Sequence, residues 1–304
     1  MSHNAYVKFF GSLFLGMLWI ACDSRKTPTT TSPSPNIAPT SREQLEEDSA
    51  RQWKLLQARQ TCNLLNGCQP AKDIVALGPD VAAQAATNII ELKQAPFWRI
   101  ELLRSLRFVR DHRVQSAQKK MLHDKAWPIR AYAAVGLGYA RDQTFFKKLK
   151  SLSGVESNYG AQIGYLWALT TMDPRLGRTK LVEHLMVLPE SRDIRVHLVA
   201  LDAIRSIKLV ELRTQVHSWL KHRNFFVIRD AVRTVSDLHD RSAIPLLIPL
   251  LDHEQPMVQR ASLACLRRFT GLKHARKKPA FEKWCEKFCR PAEGSTVPGG
   301  KTSP

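Results

Sequence analysis

Four aspartates recur through the chain at a nearly fixed interval. Asp111, Asp142, Asp173 and Asp240 are separated by 31, 31 and 67 residues, the last gap being about two periods with one member missing. Each stands between two stretches of helical apolar period. There a carboxylate can accept the backbone N–H groups that lack partners in the first turn of a helix. A period of this length in an alanine- and leucine-rich chain is that of stacked helix pairs, so the predicted fold is all-α, an α-solenoid. Such a period belongs to a scaffold and favours a non-catalytic role. From about residue 43 to residue 290 the pattern is helical throughout, with no convincing strand.

The clearest unit covers residues 242–269. Ala243–Leu251 reads as a first helix, Asp252 begins a turn, and Val258–Leu266 reads as a second helix with Pro256 close to its first turn. In the same register, six second helices open at Trp98, Ile129, Ala161, Ile194, Ile228 and Val258, spaced 31, 32, 33, 34 and 30 residues apart. The next positions are Arg99, Arg130, Gln162, Arg195, Arg229 and Gln259. Over residues 82–284 this pattern resembles the HEAT-repeat family of armadillo-type folds, including the bilin-lyase-like members, whose second helix runs Val-Arg-x-x-Ala-x-x-Ala-Leu. Gln259 departs from it. The resemblance implies that the arginines form a ladder along the stack and that second helices line its concave side. It also implies a tryptophan-bearing capping helix after Thr270-Gly271, here Phe281–Trp284. At the other end, Glu43–Leu65 reads as a long helix and Asp73–Leu77 as a short one.

Lys8 is the only charged side chain before Phe9–Ala21, an apolar run of 13 residues ending at Cys22. That is too short to span a bilayer, which takes ~20 residues, but it suits an export signal. Leu18-Trp19-Ile20-Ala21-Cys22 resembles the lipobox of a bacterial lipoprotein. Trp19 departs from it, because the leucine stands four residues before the cysteine rather than three. The expected organisation is a signal peptide (1–21), a Ser/Thr/Pro-rich tether (22–42), the solenoid with its caps (43–290) and a disordered tail (291–304). Lipidation at Cys22 would anchor the chain to the cell envelope, facing the periplasm or the outer surface.

The formal net charge is +19, which draws the chain to polyanions. Arg104, Arg195, Arg229 and Arg233 lie on predicted second helices and form a candidate binding groove. Lys273, Arg276, Lys277 and Lys278 form a basic loop cluster that could meet anionic lipid or lipopolysaccharide phosphates. A protein partner is the leading expectation, with membrane contact through the lipid anchor. Export argues against nucleic acid. The rival reading is a basic nucleic-acid-binding repeat protein similar to the alkylpurine DNA glycosylases, whose basic concave face carries tryptophans and an aspartate; Trp167 beside Tyr165 suits either such a face or core packing.

No catalytic residue, cofactor or metal is expected. Phosphate-loop, nucleophile-elbow and zinc-protease motifs are missing, as are CxxC and HxxxH spacings, and His217 and His222 do not share a helical face. Cys62 and Cys68 flank a turn and are a candidate disulfide. Cys285 and Cys289 could bridge with each other or with Cys265, which otherwise suits a buried core position.

Overall fold

The computed structural model describes residues 42–57, 62–63, 67–90, 97–188 and 191–289. The expected signal segment, Cys22, the tether to residue 41 and the tail beyond residue 290 lie outside the described residues. Helix α1 (Arg42–Gln57) is followed by a two-residue antiparallel ladder of β1 (Cys62–Asn63) and β2 (Gly67–Cys68). The remainder is helical: α2 (Gln69–Ala76), α3 (Pro79–Asn88), α4 (Phe97–Leu106), α5 (His112–Met121) and α6 (Trp127–Ala140). Then come α7 (Phe146–Val155), α8 (Tyr159–Met172), α9 (Pro174–Met186), α10 (Ile194–Ile207) and α11 (Arg213–Trp219). The last are α12 (Phe225–Asp237), α13 (Ile244–Leu247), α14 (Pro256–Thr270) and α15 (Lys278–Phe288). Single 3-10 turns lead into α7, α11 and α13. Among the described residues no helix is long and apolar enough to cross a membrane.

Two expectations at the N-terminal end are corrected. The helix read as Glu43–Leu65 is described over Arg42–Gln57 and cannot reach Leu65, since Cys62–Asn63 are strand; Arg42, placed in the tether, belongs to it. The ladder sets Cys62 opposite Cys68, and Cys68 is disulfide-bonded. Strand pairing takes Cys62–Asn63 out of the helix, and Pro70 in the first turn then starts α2 afresh.

The even-numbered helices α2 to α14 form a row in which each packs on the next, and odd-numbered helices lie against that row. The four periodic aspartates are all caps. Asp111 accepts from Arg113 N at 2.8 Å, Asp142 from Thr144 N at 3.0 Å and Asp240 from Ser242 N at 3.2 Å. Asp173 accepts from both Arg175 N and Leu176 N. Each such cap contributes about 1 kcal/mol. The even helices have caps of their own in Asn158, Asp193 and Asn224.

Close approach within the row depends on small residues. A Cβ on Gly138 of α6 would lie 2.6 Å from the Cα of Ala168, and one on Gly164 of α8 would lie 2.5 Å from the Cα of Ala131. The two contacts are reciprocal, so α6 and α8 meet backbone against backbone. Around them Trp167, Tyr165, Leu102, Ile129 and Leu201 are buried, and Trp167 and Tyr165 therefore belong to the core rather than to an open aromatic face. At the C-terminal end Phe281 and Trp284 both pack against the last layer. Phe281 is fully buried, while Trp284 is half-buried and packs on Phe288. Cys285 and Cys289 are bonded to each other. Cys265 is a free, buried thiol whose pKa burial pushes up to about 12.

Candidate functional site

Helix α10 carries one carboxylate, Asp202, in an otherwise apolar buried stretch from Val199 to Ile204, and only 2% of it is exposed. An ionised carboxylate in such a place requires opposite charge and hydrogen bonds. Arg205, one turn on, donates to Oδ1 at 2.8 Å. From α4 and the residue just beyond it, Arg104 Nε and Arg107 Nη1 donate to Oδ2 at 3.2 and 3.0 Å. The Tyr132 hydroxyl of α6 donates to the same oxygen at 3.4 Å. Arg104 and Asp202 are 98 residues apart in sequence, and α6 and α8 stand between their helices in the row. The row therefore curves tightly enough for α4 to reach α10.

The electrostatics follow from this geometry. Burial alone would raise the Asp202 carboxyl, but Arg104, Arg107 and Arg205 outweigh it and hold it well below the usual carboxylate range. Burial drives the Tyr132 phenol well above its ordinary value, so it remains a hydrogen-bond donor. Arg104 also pairs with Glu101 at 2.6 Å. Arg107 lies over the rings of Phe108 and Trp167, at 4.7 and 5.4 Å from their centroids. Its buried Nε has no hydrogen-bond partner among the described residues.

Above this cluster opens a cavity of about 750 Å³. Helix α2 contributes Lys72 and Val75, and α4 contributes Phe97, Ile100, Glu101 and Arg104, with Arg107 and Phe108 just beyond. Trp127, Pro128 and Tyr132 come from α6, Arg195, Leu198 and Arg205 from α10, and Arg229, Asp230 and Arg233 from α12. Seven cationic side chains face two carboxylates, and with Asp202 beneath them and Asp193 and Asp237 paired to Arg195 and Arg205 the net charge is +2. Arg229 and Arg233 share Asp230, at 2.9 and 3.3 Å. Arg195 grips Asp193 through Nε and Nη2, both at 2.8 Å, and lies 5.6 Å from the ring centroid of Trp127. The Trp127 indole N–H donates to Asp193 at 3.1 Å, which fixes the ring in the wall. A second cavity, of about 730 Å³, is also lined by Arg229 and Arg233 and adds Arg260 and Arg268 from α14. The cationic surface thus continues along the row.

Arg104, Arg195, Arg229 and Arg233, the four candidates on second helices, all line the first cavity. Lys72, Arg107, Arg205, Tyr132 and Asp202 were missed. One signal was available, because a lone aspartate among buried apolar helix positions demands cationic partners. The basic loop is separate: Lys273, Arg276 and Lys277 are exposed and do not line the cavity. Lys278 begins α15 and pairs with Asp252 at 3.0 Å and with Glu282, one turn on in the same helix, at 3.9 Å.

The arginines of the repeated position divide into two kinds. Arg99 is fully buried, donates to Asp124 at 2.6 Å and to the carbonyl of Ile89, and Arg130 grips Glu156 while also donating to the Asp124 carbonyl. These two run along the row as a ladder. Arg195 and Arg229 instead pair with acidic neighbours one or two residues away and face the cavity. Among the described residues no three His, Cys, Asp or Glu side chains converge as a metal site. His217 is held by Asp240 at 2.7 Å. No protein-family model and no curated protein matches this chain.

Proposed function

We propose that the chain is a HEAT-type α-solenoid, exported and anchored to the cell envelope through a lipid on Cys22, and that it works as a non-catalytic binding module. Its even-numbered helices form the concave side, and the cavity between α4, α10 and α12 receives an anionic group of a protein or other anionic partner. The observation that supports this most strongly is the convergence of arginines from three helices on one concavity with a net charge of +2. Cations gathered at that density are costly unless an anion meets them. The apolar run ending at Cys22 and the Pro-rich segment behind it support the address.

The overall charge of +19 also suits the rival nucleic-acid reading. The contacts of Arg104 and Arg107 with Asp202 weigh against it, since they tie α4 to α10 across the inner side where a duplex would have to lie.

One experiment tests both halves of the proposal. Cells expressing the wild type, Cys22→Ala or Arg195→Ala/Arg233→Ala are grown with labelled fatty acid, and the chain is then captured from membranes with its partners. The wild type and the arginine variant take up label and Cys22→Ala does not. The arginine variant recovers about tenfold less partner, as expected for losing hydrogen bonds to charged groups. Equal labelling of all three chains sinks the anchor, and undiminished recovery with the arginine variant sinks the cavity as the binding site. Tight, steeply salt-dependent capture of duplex DNA would favour the rival.

A further inference from the structure

We propose that the cavity between α4, α10 and α12 takes a small amphipathic organic anion, a single carboxylate or phosphate group joined to an aromatic or acyl body. This rests on the reading of that cavity as the chain's binding site and specifies what enters it. Size is the first reason. About 750 Å³ lies within the range of ~300–1,000 Å³ usual for small-ligand sites. The space admits a head group and a ring or short chain, not a folded surface.

The lining has two characters. Phe97, Ile100, Phe108 and Trp127 supply an apolar part, and Phe108 is 60% exposed although it stands in the wall of a concavity. Its ring meets Tyr139 edge-on at 4.9 Å, which leaves ring surface for an apolar body to cover. The cationic part is almost entirely arginine, with Lys72 the one ammonium. Guanidinium forks fit carboxylate and phosphate oxygens in pairs, whereas an ammonium acts as a point charge.

Charge distribution narrows the class further. Arg195 and Arg233 have side chains 48% and 55% exposed, so they can turn donors toward a ligand while keeping their carboxylates. Asp230 is shared by Arg229 and Arg233. Partial burial, and then the adjacent Arg229, hold Arg233 below its ordinary pKa. Glu101 and Asp230 stand among these cations and repel a ligand whose negative charge is spread along its length. A compact head group avoids them. The wall beneath is held in place by the Asp202 cluster, so little ordering remains to oppose binding.

A head group on an apolar body could come from an acyl lipid of the membrane that carries the chain or from a soluble aromatic acid. The test is calorimetric titration of the full-length chain with octyl phosphate, 1-naphthyl phosphate and inorganic phosphate. At least one organic phosphate should bind about tenfold or more tighter than inorganic phosphate, because only it buries apolar surface. A preference for octyl phosphate assigns the lipid source and a preference for naphthyl phosphate the soluble one. Arg233→Ala should weaken the preferred ligand about tenfold. Phe108→Ala should weaken the organic phosphates and leave inorganic phosphate unchanged. Both side chains are more than half exposed, and circular dichroism checks that the helices persist. Organic phosphates that bind no better than inorganic phosphate, or binding indifferent to Arg233→Ala, would overturn the proposal. If membrane capture still depends on Arg195 and Arg233 in that case, only the ligand class falls and the binding reading stands.

Discussion

Asp202→Asn is expected to destabilise the folded chain by about 3–5 kcal/mol, the usual cost of removing one partner from a buried charge cluster. The amide keeps the shape of the carboxylate and loses its charge. Arg104 still has Glu101 and Arg205 still has Asp237 at 3.7 Å, but largely buried Arg107 loses its carboxylate and Arg205 its closer one. In a chain of this size the loss corresponds to a melting temperature lower by about 10 °C. Acid titration supplies an independent check. The folded-state pKa of Asp202 is depressed, so its contribution is complete above the unfolded value of about 3.9 and is lost as pH falls toward the lower folded value. Wild-type stability should therefore decline with acid below about pH 4 more steeply than that of Asp202→Asn. A variant within about 1 kcal/mol of the wild type, with the same acid slope, would mean that water and not Asp202 compensates these arginines.

Gly138→Ala and Gly164→Ala should each destabilise by about 1–3 kcal/mol, and the sign is what makes the test sharp. In an isolated helix, glycine to alanine gains about 1 kcal/mol. Here the new methyl carbons would stand 2.6 and 2.5 Å from the Cα atoms of Ala168 and Ala131, and backbone on a packed helix cannot step aside as a flexible side-chain tip can. Gly154→Ala in α7 is the control, since nothing lies within 4 Å of its added carbon. It should stabilise by about 0.5–1 kcal/mol. Chemical denaturation of the three variants separates the outcomes, and stabilisation by all three would mean that α6 and α8 do not approach as closely as described.

The periodic aspartates could be read in advance because capping is local: a carboxylate two residues before an unpaired amide has little else to do. The six even-numbered helices from α4 to α14 could be read for the same reason, each identified by its own apolar period. Arg104, Arg195, Arg229 and Arg233 could be nominated by register, but their convergence could not. It depends on the small rotation between successive helix pairs, summed from α4 to α12, and no local pattern encodes that sum. Asp202 escaped for this reason, since its partners Arg104 and Arg107 lie 98 and 95 residues away. The short ladder at Cys62 and Cys68 escaped because two paired residues leave no alternation to detect.

A row of helices joined only to its neighbours melts from its ends inward, one unit at a time. The contact between α4 and α10 makes part of this row a closed circuit. Helices α6 and α8 lie inside it, so neither can leave without parting a buried aspartate from its arginines or pulling the whole arc open. Loss of α14 and α15 breaks no bond in that circuit. The chain can therefore tolerate wear at its C-terminal end while the floor of the cavity keeps its shape.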